Sequence, residues 1–552
     1  MAVPPLTSSS STHEANNQPP PRAEVDEYGT NLPLEEAVAR HGADWATENL
    51  HEIGRLVGTG LFRRQSAEAE ANPPRLVTYD AYGNRLDEVE YHPSYHEVMR
   101  ASVKHASHAL AWRESRPGAH VARAAAFSMF CQVEPGHTCP ISMTHSIVPA
   151  LRAQPELAAE WEPRLTSLEY DPELRAAHEK PGVLSGMAMT EKQGGSDVRA
   201  NTTVARPVGG GGPGEEYELV GHKWFCSAPM CDVFLTLAQT ERGLSCFLLP
   251  RVLEDGSRNA FRLQRLKDKL GNRANASSEV EFAGAWARMV GEPGRGVHTI
   301  IQMVNHTRLD CALATTAGMR HSAVEAAWYA AHRSAFGKAL IHQPLMKNVL
   351  ADLCLEAEAA TALSFRLASS YEEGVDEREL AFRRIATPIA KYWICKRGPN
   401  HAFEALECLG GNGYIETFSL ARRYREQPLT SIWEGSGNVI CLDVLRALPK
   451  AGEALFSEIE LASGVEPRFD AFVSELRREL ADVGAIELRA RLLTERMALA
   501  LQASLLLRHA PRYVAGAFCA ARLAGQGGAQ YGTLPREVDF DAILERHAPA
   551  LA

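Results

Sequence analysis

The stretch TSIWEGSGN, Thr430 to Asn438, sets a single carboxylate, Glu434, between a large aromatic, Trp433, and a run of small residues. A Gly-Ser-Gly core invites a serine nucleophile, but the hydrolase elbow requires G-x-S-x-G and Ser436 has glycine immediately on both sides. That chemistry is excluded here. The plain alternatives for Glu434 are a solvated loop acid or a first-turn charge favoured by a helix dipole, because NVICLDVLRAL follows with helical apolar spacing.

Four further stretches carry residue types suited to binding. MAMTEKQGGSDVRANT, Met187 to Thr202, holds Gly194-Gly195-Ser196-Asp197, whose backbone N–H groups can approach an anion, with Thr190 and Ser196 as hydroxyl donors at the rim. The same run also suits an ordinary turn. Neither a G-x-G-x-x-G nor a P-loop spacing is present, which disfavours the standard nicotinamide and P-loop sites. In GHKWFCSAP, an aromatic pair followed by Ser227 would offer a flat ring one apolar face and one hydrogen-bonded edge, or form a core strand. In HRSAFGKALIHQPL, Arg333 and Phe336 read as three apart on one helical face ahead of a terminating glycine, where an arginine can clamp a diphosphate. ECLGGNGYIE is a second glycine-rich turn between helices.

The elements that must position these residues change texture along the chain. Residues 1–30 are polar and proline-rich and read as a disordered tail; they lack the basic and apolar regions of a signal peptide. Residues 31–182 have apolar spacing of three and four and read as a helical domain. Between 183 and 293 come short aromatic or branched runs broken by turns such as PVGGGGPGEEY, the mark of a compact β domain. Residues 294–447 return to long amphipathic helices, and 448–552 form an additional helical section. The fold class is therefore α+β, multidomain and mainly α.

Bulk composition narrows the function. At 552 residues, 45% hydrophobic and 23% charged, this is an ordinary globular chain of several domains. Acids outnumber bases, 68 to 58, for a formal charge of -10, which argues against a large nucleic-acid surface. No apolar run reaches the ~18 residues of a membrane-spanning helix. Eleven cysteines without C-x-x-C or zinc-site spacing indicate neither disulfides nor a structural metal, and a reduced cytoplasmic setting fits best.

Together, in this order and spacing, the motifs resemble the acyl-CoA dehydrogenase superfamily from about residue 90 to 447. MTEKQGGSDVRANTT, GHKWFCS, RLDCALATTAGMRHSAVEAAWYAAHRSAFGKAL and SIWEGSGN resemble most closely its adaptive-response AidB branch, which carries an additional C-terminal helical domain. The resemblance implies an N-terminal helical domain, a middle β-barrel-like domain, a helical bundle and an FAD lying between sheet and helices. It implies dehydrogenation of an acyl-CoA at the α,β positions, with Glu434 as the base and Trp433 limiting water around it. Thr190 and Ser196 would contact the flavin or its phosphates, Phe225 and Ser227 would line the isoalloxazine, and Asn438 would follow toward the adenosine part, with Met189 and Trp433 also lining the cofactor. Arg333 and Phe336 match a clamp on the diphosphate of a neighbouring subunit's FAD, which implies a homotetramer. Arg308 matches an arginine that contacts CoA. Lys192, Asn305 and Glu407 depart from the family pattern, where Pro, Asp and Gln are usual.

Two functions follow from the resemblance. One is an FAD-dependent acyl-CoA dehydrogenase. The other is a flavoprotein that binds double-stranded DNA through its C-terminal domain and protects it from alkylation, with residual dehydrogenase activity. Lys450 to Ala552 hold 12 Lys and Arg against 14 Asp and Glu, a poor balance for a surface that must neutralise phosphates. A third reading, a flavin kept for structure or for oxidase work on a substrate without CoA, rests on the departures at the CoA side.

Overall fold

The computed structural model describes residues 12–548. A short antiparallel hairpin, β1 (Arg75–Tyr79) and β2 (Arg85–Glu90), interrupts an otherwise helical N-terminal region. Seven strands follow: β3 (Ser185–Ala188), β4 (Val204–Pro207), β5 (Glu216–Ser227), β6 (Val233–Thr240), β7 (Gly243–Pro250), β8 (Phe261–Leu266) and β9 (Ser277–Val290). Their order is β3-β6-β4-β5-β9-β7 with β8 on β9, and a full antiparallel β6–β7 ladder closes the path into a barrel-like sheet. Its interior is one apolar cluster that includes Leu219, Phe234, Phe247, Phe261, Val280 and Phe282.

Four long helices form the second half: Gly296–His332, Pro344–Ser369, Glu377–Glu407 and Gly437–Ile459. The first is buried on nearly every face, as its uniform apolar and alanine-rich sequence requires of a central helix. It packs against the second and third and against Ala119–Val133 and Thr138–Leu151 of the N-terminal region. A buried Arg123–Asp310 ion pair joins the N-terminal region to this central helix. The expected boundary at residue 447 falls inside Gly437–Ile459, so the last section begins as a continuation of that helix. Of two further helices, Ile486–His509 packs back on it and Pro467–Ala481 packs on Ile486–His509.

The N-terminal segment departs from expectation. Residues 1–11 lie outside the described residues, but from Asn17 onward the chain is tied to the end of the central helix. Asn17 Nδ2 donates to the Ser334 carbonyl at 2.9 Å and the Ser334 N–H donates back to Asn17 Oδ1 at 2.7 Å. Trp328 Nε1 donates to the Pro20 carbonyl at 2.8 Å, and Arg22 is buried with Glu27 and Glu325. These bonds satisfy polar groups that a disordered tail would leave to water.

Candidate active site

Glu434 sits in the loop between the helix Ser419–Thr430 and Gly437–Ile459, where Gly435 (φ +107°) lets the chain turn sharply. Its own backbone is left-handed, φ +58°, a strained conformation for a residue with a Cβ, of order 1–3 kcal/mol. Surrounding groups hold it there. Arg308 Nε donates to the Glu434 carbonyl at 3.0 Å, and the Lys391 ammonium donates to the Gly435 carbonyl. Arg308 is itself fixed by Asp443 at 2.8 Å, which also pairs with Arg384 at 2.7 Å.

The carboxylate is aimed by Thr307, whose hydroxyl donates to Oε2 at 2.7 Å. Burial pushes the Glu434 pKa up; the Thr307 hydrogen bond and then the charges of Arg308 and Lys391 draw it partly back, and the net shift is upward. A half-buried carboxyl with a raised pKa and a fixed orientation is the equipment of a general base.

Glu434 lies where helices meet the β domain. Trp433 packs against the β-domain core. Burial raises the Cys139 thiol to about 12, and the Glu434 charge acts on it in the same direction. At the end of β5 the Ser227 hydroxyl lies 3.2 Å from that of Ser277. Two residues earlier on β5, Phe225 is 50% exposed, although it sits in a sheet whose interior is filled.

The glycine-rich loop after β3 is locked from below by Glu191. Its fully buried carboxylate accepts from the N–H and hydroxyl of Thr202 and of Thr203, and pairs with Lys223 of β5 at 3.0 Å. Burial alone would raise Glu191, yet Lys223 and these donors bring it to about 2, while burial lowers Lys223 to about 8. Trp224 N–H donates to the Thr190 carbonyl at 2.8 Å, and Asn201 Nδ2 to the Met189 carbonyl at 2.9 Å. A Cβ on Gly195 would meet Thr190 Oγ1 at 2.5 Å, so glycine is needed for this close approach. Ser196 is exposed at the rim, and Asn438 is exposed in the first turn of its helix.

These features fit a flat aromatic cofactor. The Trp433 indole N–H is buried without a partner, Phe225 is half exposed with the Lys267 ammonium over its ring, and Ser196 is exposed at the rim of the glycine-rich loop. FAD has the ring, the hydrogen-bonding edge and the phosphates such a set would hold.

Arg308 is buried and supports the carboxylate loop through Nε on the Glu434 carbonyl and Nη1 on Asp443. One sequence expectation is corrected. Arg333 and Phe336 are not on a helical face, because the helix ends at His332. They lie on a tight two-strand hairpin, Ser334–Ala335 with Lys338–Ala339, turned by Phe336 (φ +53°) and Gly337 (φ +75°). Phe336 is fully exposed at its tip. At ~1.5 Å rise per residue, the hairpin stands roughly 38 Å along the helix from Arg308. It cannot touch the Glu434 site of its own chain. Thr307, Lys391 and Asp443, which orient Glu434, were not singled out from sequence, since each reaches the loop through the fold.

Comparison with known proteins agrees with this architecture. Residues 17–172 match the adaptive response protein AidB N-terminal domain, 186–285 the acyl-CoA dehydrogenase middle domain and 294–448 the acyl-CoA dehydrogenase C-terminal domain. The chain is 45% identical over 538 residues to AidB of Escherichia coli (strain K12), spanning 97% of this chain and 98% of that protein. The crystal structure of Caenorhabditis elegans ACDH-11 in complex with C11-CoA superposes with a TM-score of 0.86 at 26% identity, covering 93% of this chain and 94% of the other. Butyryl-CoA dehydrogenase from Megasphaera elsdenii shares the fold, with a TM-score of 0.58 at 20% identity over 76% of this chain and 97% of its own. The chain belongs to the acyl-CoA dehydrogenase family, within its AidB branch.

Proposed function

We propose that this chain is an FAD-dependent acyl-CoA dehydrogenase in which Glu434 removes the α-proton of an acyl-CoA thioester. The observation that carries this reading is the Glu434 carboxyl itself: left-handed, aimed by Thr307, held by Arg308 and Lys391, with its pKa raised by burial. When bound, FAD supplies the acceptor for the hydride that leaves the β-carbon. The chain's own work is to hold the base, exclude water and keep the reacting carbons in register. Trp433, next to the base, packs on the β-domain core and ties the Glu434 loop to the domain that carries Phe225 and Ser227. Met189, Thr190 and Ser196 would hold the cofactor on the β-domain side, and Asn438 would hold it at the helix start.

The acyl-CoA substrate class is supported by the family and by ACDH-11, whose structure contains C11-CoA. The Arg333–Phe336 hairpin, beyond reach of its own site and fully exposed at the tip, fits a clamp on the cofactor of a second copy in a homotetramer. A cytoplasmic setting accords with eleven buried, unpaired cysteines. No helix among the described residues is long and apolar enough to cross a membrane.

Protection of double-stranded DNA from alkylation, the alternative role, has less support. Eight of the eleven arginines of the C-terminal section pair with acids: Arg468 with Glu466, Arg477 with Glu460, Arg489 with Asp482, Arg496 with Glu475 and Glu479, Arg508 with Glu458, Arg522 with Asp352, Arg536 with Glu537, and Arg546 with Glu358 and Glu36. Few remain to meet phosphates.

The test is an anaerobic titration of the flavin-loaded protein with isovaleryl-CoA and a series of straight-chain acyl-CoAs. Bleaching of the oxidised flavin band by at least one thioester is expected. A bound flavin that none of them reduces would overturn the dehydrogenase reading.

A further inference from the structure

Three histidines from three different helices converge inside the protein. His120 opens Ala119–Val133, His145 lies within Thr138–Leu151, and His306 is on the central helix, one residue before Thr307. All are buried, and one ring nitrogen from each lies within 4.8 Å of the other two. Trp112 stacks on His145 at 4.9 Å and meets His120 edge-on at 4.9 Å, while Tyr371 closes on His306 at 4.7 Å.

The hydrogen-bond inventory leaves these nitrogens unanswered. His145 Nδ1 is 3.0 Å from the His108 carbonyl oxygen, which only accepts, so Nδ1 carries the hydrogen and Nε2 keeps its lone pair. His120 Nε2 and His306 Nδ1 are buried with no partner at all. Each such orphan costs about 1–3 kcal/mol, and both belong to histidines of the cluster. His145, a ring whose other nitrogen is fixed by a backbone carbonyl, has the standard form of a metal-binding histidine.

We propose that His120, His145 and His306 form a three-histidine site for a divalent transition-metal ion of the zinc class. A point equidistant from three atoms no more than 4.8 Å apart lies within about 2.8 Å of each, so zinc–nitrogen distances of ~2.0–2.1 Å need only sub-ångström shifts. The fourth position falls to water, because the Tyr371 hydroxyl is already engaged with the Asn305 carbonyl and Thr387. Three nitrogens and no carboxylate select zinc, cobalt, nickel or copper over calcium or magnesium. Of the neighbouring cations, Arg123 is paired with Asp310 and Arg152 with Glu162 and Glu373, while Arg383 donates to the Ser370 carbonyl and lies over the Tyr371 ring with no acid partner among the described residues. The ion would pin Ala119–Val133, Thr138–Leu151 and the central helix together, next to the residue that aims Glu434.

Cobalt reports on such a site directly. The flavin-loaded protein, stripped with chelator and dialysed, is titrated with Co2+ in excess buffer. Uptake of about one equivalent per chain with the visible bands of a four-coordinate ion is expected, displaced by Zn2+. His120→Gln and His145→Gln should each weaken uptake at least ~10-fold, with flavin content and far-ultraviolet circular dichroism reporting that the fold is retained. X-ray absorption at the cobalt edge of the unsubstituted protein keeps the test open if a variant misfolds: imidazole scattering from three ligands supports the site. Failure of the unsubstituted protein to take up a stoichiometric ion, or an oxygen-only shell around the ion it takes up, would overturn it.

Discussion

At the scale of the residue, Glu434 depends on groups far away in sequence. Thr307 stabilises the charged carboxylate, so Thr307→Val removes a contribution that lowers the pKa and the base titrates at higher pH still. The carboxylate is the working form; the acid limb of the pH–rate profile is therefore expected to move upward, with the rate recovering toward the unsubstituted value above it. A profile that drops at every pH without moving would contradict this. Glu434 was legible in the sequence because its motif is local: an aromatic before it and small residues after it. Its supports were not legible, since Thr307 is 127 residues away and Arg308 acts through the Glu434 backbone carbonyl, which a side-chain pattern does not reveal. The His120, His145 and His306 cluster was invisible for the same reason, because no short spacing links its members.

At the scale of the element, the β domain holds its cofactor-facing loop by one buried pair. Glu191→Ala would leave the Lys223 ammonium buried without its partner, and loss of about 3–5 kcal/mol is expected in denaturant unfolding. Loss below about 1 kcal/mol would show that the pair does not lock the loop. The β domain itself was readable from short branched and aromatic runs between turns, since alternating burial writes a period of two. The end of the central helix was misread. Helical spacing runs on through HRSAF, and a left-handed phenylalanine is a turn residue that sequence patterns rarely signal. The N-terminal segment was misread because polar, proline-rich chain can still be ordered by backbone bonds. Asn17 and Pro20 provide acceptors for Arg333 and Trp328.

At the scale of the molecule, the proposed clamp would make assembly part of the chemistry, because the hairpin lies beyond reach of the Glu434 loop of its own chain. If Phe336 and Arg333 serve another copy, Phe336→Ala with Arg333→Ala should shift the particle to smaller mass in light scattering and release FAD, leaving circular dichroism unchanged. Retained flavin on an intact oligomer would contradict that arrangement. The C-terminal section, with its arginines paired, is expected to bind duplex DNA no better than an acidic control protein at 150 mM salt. Sub-micromolar binding that weakens steeply with salt would restore the DNA role. The central claim, that Glu434 is the base, is tested most directly in the flavin-loaded protein by comparing Glu434→Gln with the unsubstituted chain under anaerobic rapid mixing, using an acyl-CoA that reduces the latter. Flavin reduction should slow by about 10²–10⁴-fold with flavin content preserved, and α-deuteration should slow the unsubstituted protein. Reduction at an unchanged rate in Glu434→Gln would contradict the account.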